Sequence, residues 1–63
     1  MKDNEKLVGR RVRLIYMADD PRPILPGEEG IIILIDDIGQ IHVKWDNGRI
    51  LAIVPEVDSY ELI

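Results

Sequence analysis

The side chains that could carry out catalysis are few, because the 63-residue chain has one serine, Ser59, one histidine, His42, and no cysteine. A serine nucleophile needs a general base within hydrogen-bonding distance. Ser59 and His42 fall on different predicted elements, and His42 alternates with the apolar residues of its strand, which points it toward solvent. We therefore expect a solvent-facing histidine, a serine that caps a turn, and no enzymatic activity.

Two pairs of aspartates could bind a hard cation, since carboxylate oxygens are preferred ligands of Ca²⁺ and Mg²⁺. Asp19-Asp20 and Asp36-Asp37 both lie in predicted loops, and neither matches the ligand spacing of an EF-hand. Aspartate is also common in turns, because its carboxylate accepts hydrogen bonds from nearby backbone amides. The sequence therefore predicts turn-forming aspartates, with no metal ion and no cofactor.

Four basic residues near the start could contact phosphate groups: Lys6, Arg10, Arg11 and Arg13. Nucleic-acid binding depends on phosphate neutralisation by such residues, but the whole chain has a net charge of −4 and a pI of about 4.7. The other interpretation is a charged outer strand face, which also opposes edge-to-edge association. We expect the charged face, and keep an accessory nucleic-acid-binding role as the alternative function.

Alternation of polar and apolar residues predicts five β-strands that must position these side chains. In the first strand, Val12, Leu14 and Tyr16 share one face. A long loop follows, and Pro21, Pro23 and Pro26 stiffen it and exclude a helix. The five predicted strands cover residues 11–17, 31–35, 40–46, 50–54 and 60–63.

Turn signals separate the predicted strands. Pro26-Gly27 fits the central positions of a type II turn, in which glycine supplies the positive φ. Residues 36–39 form a second turn. Asn47-Gly48 is the preferred pair for a type I′ hairpin, in which both residues have positive φ. A single 3₁₀ turn is expected over residues 55–59.

The strand patterns predict one apolar core and two unusual strands. Residues 31–35 are apolar on both faces, so the outer face is either covered by the N-terminal tail, covered by a partner, or exposed. Residues 50–54 repeat this pattern. A second copy of the chain could dock there through Ile31 and Ile33. The predicted core contains the following residues: Val12, Leu14, Ile32, Ile41, Val43, Trp45, Leu51, Ile53 and Leu62.

Motifs with a specific joint spacing run from Gly9 to the end of the chain: Gly9-Arg10-Arg11-Val12-Arg13-Leu14-Ile15, Met17, Asp20-Pro21, Pro26-Gly27, Gly30, Ile35-Asp36-Asp37, Gly39, His42-Val43, Trp45-Asp46-Asn47-Gly48 and Val57-Asp58-Ser59-Tyr60. These motifs resemble a small bacterial family called domain of unknown function 4314. This resemblance implies an all-β fold, a five-stranded SH3-like barrel over residues 9–63 after a flexible tail at 1–8. The family name implies no activity, and similar SH3-like modules bind proteins or peptides.

A groove beside the long loop is the candidate ligand site that this fold implies. We expect the loop at 18–27 and the turn at 36–39 to lie at the same end of the barrel, with a basic peptide bound between them. Trp45 has two interpretations, a core residue and an aromatic platform, and the loop itself could simply close the barrel. The candidate binding residues are Tyr16, Asp19, Asp20, Arg22, Trp45 and Tyr60.

Composition points to a cytoplasmic protein. The absence of cysteine suits a reducing compartment, because secreted domains of this size are usually disulfide-linked. The first six residues contain no apolar signal core. The longest apolar run, residues 31–35, is far shorter than a membrane span. We therefore expect a protein or peptide partner, or a second copy of the chain, and no membrane contact.

Overall fold

The computed structural model describes residues 6–18 and 21–63, which form five antiparallel β-strands in one sheet. The sheet order is β4-β3-β2-β1-β5. This confirms the predicted all-β class, and within the described residues there is no helix that could cross a membrane. The strands are β1 (Arg11–Tyr16), β2 (Glu29–Ile35), β3 (Ile41–Trp45), β4 (Ile50–Ile53) and β5 (Ser59–Leu62).

The sheet has two edges, β4 and β5. β1 lies between β2 and β5, whereas β4 pairs only with β3. Across the described residues no backbone pairing joins β4 to β5, so the predicted closure into a barrel is not confirmed. Asp58 stabilises the turn between β4 and β5. Its buried carboxylate accepts hydrogen bonds from the backbone amides of Ala18 (2.7 Å) and Val54 (2.8 Å).

The inner face of the sheet holds the core, and most of its predicted members are buried. Leu51 is only partly buried, and the prediction is wrong for Leu62, which is 37% exposed because it lies on the edge strand β5. Met17 and Ile24 are buried although no periodicity marked them. The buried apolar residues are Val12, Leu14, Met17, Ile24, Ile32, Ile41, Val43, Trp45 and Ile53.

Two irregularities interrupt the alternation of the strands. The pairing of β1 with β5 shifts between Leu14 and Tyr16, and that of β2 with β3 shifts between Ile32 and Leu34. An extra residue in one strand changes which face the following residues occupy. Tyr16 is therefore 58% exposed, and the prediction that it shares the core face with Leu14 is wrong.

The Pro26-Gly27 turn is confirmed. The amide of Glu28 donates to the carbonyl of Leu25 at 3.1 Å, and Gly27 has a φ of 91°. This places proline and glycine at the two central positions of the turn, as a type II turn requires.

The β3–β4 hairpin is where the sequence predicted it, but its turn type differs. The amide of Gly48 donates to the carbonyl of Trp45 at 2.9 Å, and Trp45 donates to Arg49 at 2.8 Å. The turn is therefore centred on Asp46-Asn47, and Gly48, with a φ of 94°, follows it. This is a three-residue loop of the type I plus bulge kind, and the type I′ prediction is wrong.

The N-terminal segment joins the fold before Gly9. Residues 6–9 form a turn in which Arg10 donates to the carbonyl of Leu7 at 3.0 Å. Leu7 is partly buried against the core. The ordered part of the chain thus includes at least two residues of the segment that was expected to be a tail.

Candidate binding surface

The outer face of the sheet is divided into a charged half and an apolar half by strand pairing. Arg13 lies opposite Glu29 and Glu61, which places all three side chains on this face of β2, β1 and β5. Ile31 lies opposite Lys44, which in turn lies opposite Ile50, and these belong to the outer face of β2, β3 and β4.

Arg11 and Arg13 are the centre of the charged half. Arg11 makes a bidentate pair with Asp46, at 3.0 and 2.7 Å, and reaches Glu29 at 3.1 Å. Arg13 bonds Glu61 at 2.8 Å and Glu29 at 3.2 Å. The hydrogen bond from Arg11 lowers the pKa of the Asp46 carboxyl, and the pKa of each guanidinium is raised by its carboxylates.

This network bears on the two interpretations of the N-terminal basic residues, because it shows what Arg11 and Arg13 contact in the folded chain. Two guanidinium groups face three carboxylates, so the network carries a formal charge of −1. Phosphate binding would have to displace these carboxylates first. Arg11 and Arg13 thus lie on the charged outer face of the sheet, and Lys6 and Arg10 are exposed.

The other half, called the β2–β4 patch below, has the apolar residues Ile31, Ile33 and Leu34 on β2 and Ile50 on β4, with Lys44 of β3 between Ile31 and Ile50. These four apolar side chains are between 40% and 61% exposed. The shift in β2 at Ile33 enlarges the patch, because it turns both Ile33 and Leu34 outward. Leu7 belongs to the inner core and does not cover the patch.

The residues predicted to line a peptide groove are only partly brought together. Trp45 is 1% exposed, and its indole Nε1 donates to the carbonyl of Leu51 at 3.0 Å. The core interpretation of Trp45 is therefore confirmed, and its ring cannot line a surface groove. Tyr16 is exposed and Tyr60 half-buried on the neighbouring strands β1 and β5. Asp19 and Asp20 lie outside the described residues.

The long loop lies at the opposite end of β2 from the turn at 36–39, so the prediction that they share one end is wrong. The loop precedes β2 and the turn follows it, and a seven-residue strand separates its ends by about 20 Å. The loop lies instead beside the β3–β4 turn. Asn47 donates to the carboxylate of Glu28 at 2.9 Å, and Arg49 donates to the carbonyl of Arg22 at 2.6 Å.

Asp36 has the turn-forming role expected of the aspartate pairs. Its Oδ1 accepts hydrogen bonds from the amides of Ile38 (3.1 Å) and Gln40 (2.8 Å). Its Oδ2 lies 2.9 Å from Nε2 of His42. The hydrogen bond to His42 is the main cause that lowers the pKa of the Asp36 carboxyl, and the two amides lower it further.

The two possible catalytic residues, His42 and Ser59, lie far apart in the sheet. His42 lies on β3 and is bonded to Asp36, whereas Ser59 lies exposed on β5, and strands β2 and β1 separate β3 from β5. In the described part of the chain, no group of three or more carboxylate or histidine side chains is placed to hold a metal ion.

Gly30 is a structural residue that the sequence alone marked only through the family resemblance. It lies on the inner face, opposite Val12 on β1 and Trp45 on β3. A Cβ atom at this position would lie 2.6 Å from the carbonyl oxygen of Lys44. The absence of a side chain therefore allows the backbone of Lys44 and Trp45 and the side chain of Val43 to approach Gly30 closely.

Comparison with known proteins gives one match. The sequence profile of a family described as "Domain of unknown function (DUF4314)" matches residues 4–63. No curated protein and no solved structure matches the chain.

Proposed function

We propose that this chain, which belongs to the family of domains of unknown function 4314, is a non-enzymatic module that binds another polypeptide through the β2–β4 patch. The observation that carries the proposal is the exposure of Ile31, Ile33 and Leu34 side by side along β2, with Ile50 on the same sheet face beyond Lys44 of β3. Exposed apolar residues grouped in this way mark interaction sites in small soluble domains. The absence of cysteine favours the cytoplasm as the place where it acts.

The size of the patch sets what the partner must contribute. Burying a large aliphatic side chain completely is worth about 1.5–3 kcal/mol. The exposed fractions of the four patch residues together equal roughly two whole side chains, so covering them would yield about 3–6 kcal/mol. Association itself costs at least about 4 kcal/mol. The partner must therefore make further contacts, and the patch forms the apolar centre of a larger interface.

The other functional classes receive less support from the geometry. A nucleic-acid role would use the N-terminal basic residues, and two of these, Arg11 and Arg13, have guanidinium groups held by Glu29, Asp46 and Glu61. A hydrolytic role would need a base next to Ser59, whereas His42 is bonded to Asp36. Phosphate binding by Arg11 or Arg13, and catalysis by Ser59 with His42 as its base, would each require existing contacts of the folded chain to be broken.

The test compares proteins captured by the native chain and by two variants from a lysate of the organism that encodes it. Ile31→Glu places a carboxylate in the patch, opposite Arg11 and Lys44, and these basic neighbours should keep the variant folded. Leu25→Glu is the matched control, because Leu25 is 61% exposed but lies in the long loop.

We expect the captured set to be lost in Ile31→Glu and kept in Leu25→Glu. Equal capture by the native chain and Ile31→Glu would refute the patch as the binding surface. Circular dichroism of each variant verifies that the fold is intact.

A further inference from the structure

The outer edge of β4, next to the β2–β4 patch, carries backbone groups that make no backbone hydrogen bond to any other described residue. Trp45 donates to Arg49 across the β3–β4 ladder, so the alternate pairs Lys44–Ile50 and His42–Ala52 are not hydrogen-bonded to each other. The amide and carbonyl groups of Ile50 and Ala52 therefore point away from β3. Among the described residues no strand lies on that side.

The far end of this edge is already closed. The amide of Val54 donates to the Asp58 carboxylate at 2.8 Å, and its carbonyl accepts from the amides of Val57 and Asp58. The free part of the edge is therefore limited to Ile50 and Ala52. A strand that pairs with β4 must make its hydrogen bonds at these two residues.

β4 is short, with four residues, but it lacks the charges, prolines and bulges that commonly protect an edge strand. Native edges carry charged residues, prolines or irregular pairing that oppose further pairing. Residues 50–54 have no charge and no proline, and the β3–β4 register is regular throughout. The patch reaches this edge directly, since Ile50 is 61% exposed.

We propose that a second copy of the chain pairs with this edge, so that β4 and β4 of the second copy run antiparallel and form one ten-stranded sheet. The proposal rests on the proposed function, because the patch is part of the same surface. The partner is a second copy of the chain, and the free backbone groups of Ile50 and Ala52 fix the register. Ile50 pairs with Ala52 of the second copy and Ala52 with its Ile50, so every free group of the edge is used.

The two-fold axis of this arrangement passes between the two Leu51 side chains. Hydrogen-bonded and non-hydrogen-bonded pairs alternate along an antiparallel ladder, so the two Leu51 residues, which lie between the bonded pairs, are not hydrogen-bonded to each other. Side chains of such a pair approach most closely. Leu51 is only partly buried against the inner core in the single chain. A second Leu51 covers its remaining surface, which explains why an apolar residue in the middle of β4 is left half-covered.

The same pairing at the other edge is unfavourable. On β5 the outward backbone groups belong to Tyr60 and Leu62, because Ile63 donates to Arg11 across the β1–β5 ladder. An antiparallel pair of β5 strands in the equivalent register would set Glu61 directly opposite Glu61 of the second copy. Like charges opposite each other destabilise a sheet, so a two-fold dimer forms through β4.

The first experiment is sedimentation equilibrium of the native chain from tens of micromolar to about 1 mM, the range in which small interfaces assemble. We expect the mass to rise from 7.2 kDa toward twice that value. Ala52→Pro should stay monomeric, because it removes an outward amide while leaving every β3–β4 hydrogen bond intact. Leu62→Pro is the matched control at the outward amide of β5, and it should dimerise like the native chain.

The second experiment keeps the proposal testable if Ala52→Pro fails to fold. Amide hydrogen exchange of the native chain is followed by NMR at low and high concentration. The amides of Ile50 and Ala52 should become protected as concentration rises, and that of Leu62 should not change. Exchange of Ile50 and Ala52 that is independent of concentration would overturn the proposal.

The remaining outcomes separate this proposal from the function on which it rests. A native chain that stays monomeric at about 1 mM overturns the dimer, while the capture experiment with Ile31→Glu still tests the patch on its own. A dimer that Ile31→Glu dissociates and Ala52→Pro leaves intact also overturns edge pairing, because the copies would then meet through their apolar faces.

Discussion

Gly30 gives the most decisive test of how this small sheet is packed, through the substitution Gly30→Ala. The added Cβ would lie 2.6 Å from the carbonyl oxygen of Lys44, 2.7 Å from Cγ1 of Val43 and 2.8 Å from Cα of Trp45. Carbon contacts are most favourable near 3.5 Å or beyond, so each distance is too short by about 0.7–0.9 Å. Two of the three atoms are backbone, so no side-chain rotation relieves the overlap.

The expected cost follows from this overlap. Extra methyl groups in packed interiors typically cost about 1–3 kcal/mol, and backbone overlap belongs at the upper end. The smaller entropy of the unfolded alanine chain returns about 0.4–1 kcal/mol. We expect a net loss of about 2–3 kcal/mol. A chain of 63 residues has a total stability of only about 3–9 kcal/mol, so the loss is a large fraction.

Urea unfolding followed by the fluorescence of Trp45 measures this loss, because Trp45 is the only tryptophan and is buried beside Gly30. With a urea dependence near 1 kcal/mol per M, the midpoint should fall by about 2–3 M. Gly39→Ala is the matched control: Gly39 has a φ of 88° and open space around it, so alanine there costs only backbone strain of about 1–2 kcal/mol. Equal stability of Gly30→Ala and the native chain would refute the steric argument.

The remaining stability predictions concern the core, the 36–39 turn and the β4–β5 turn. Ile41→Ala, at a buried position on β3, should lower the free energy of unfolding by about 2–5 kcal/mol in urea titrations. The pKa of Asp36 is lowered in the folded chain, so the hydrogen bonds of its carboxylate stabilise the fold above the ordinary aspartate pKa of about 4. This stabilisation is lost as the pH falls through the lowered pKa. Asp36→Asn should therefore be less stable than the native chain at pH 7, and the difference should vanish in acid. Asp58→Ala leaves two amides without an acceptor and should cost about 2–4 kcal/mol by thermal unfolding, whereas the exposed control Glu56→Ala should change little.

The strands were predictable because their apolar side is marked by simple alternation. On β3, Ile41, Val43 and Trp45 alternate with polar residues, and all three are buried as expected. In β2 the apolar run is uninterrupted, so the sequence contains no mark of the shift at Ile33. The number of strands could be predicted from the alternation of polar and apolar residues. Which residues form the β2–β4 patch could be known only from the register in which β2 pairs with β3.

The turn at Asp46-Asn47-Gly48 shows how one sequence fits two local structures. Asn-Gly suits the centre of a type I′ turn, but a glycine in third place equally suits a type I turn with a bulge. The observed form is supported by the side-chain oxygen of Asn47, which accepts a hydrogen bond from the amide of Arg49 at 2.8 Å. In the observed turn, the carboxylate of Asp46 lies within hydrogen-bonding distance of the Arg11 guanidinium. This contact depends on how β1 and β3 are arranged in the sheet, so the sequence alone does not indicate it.

The candidate site was the least predictable part, because its contacts join residues far apart in the chain. Arg13 meets Glu61 and Glu29 only because β1 lies between β2 and β5. The predicted groove placed the long loop and the 36–39 turn at one end, although β2 must separate them. Charge and aromatic content suggested a site near Trp45, but the strand register buries that ring.

Salt dependence separates self-association from nucleic-acid binding, since the two respond with opposite sign. Each chain carries a net charge of −4, so two copies repel each other at low ionic strength. The proposed β4 interface is uncharged, so salt removes the repulsion and leaves the attraction. We expect the dimer to strengthen in sedimentation runs as sodium chloride rises from about 0.01 M, where charges act over about 30 Å, to about 0.15 M, where they act over about 8 Å. Binding of a nucleic acid through Lys6 and Arg10 would weaken over the same range, because the release of counterions from the phosphates becomes less favourable as the salt concentration rises. Association that weakens with added salt would therefore contradict pairing through β4 and favour a charged interface.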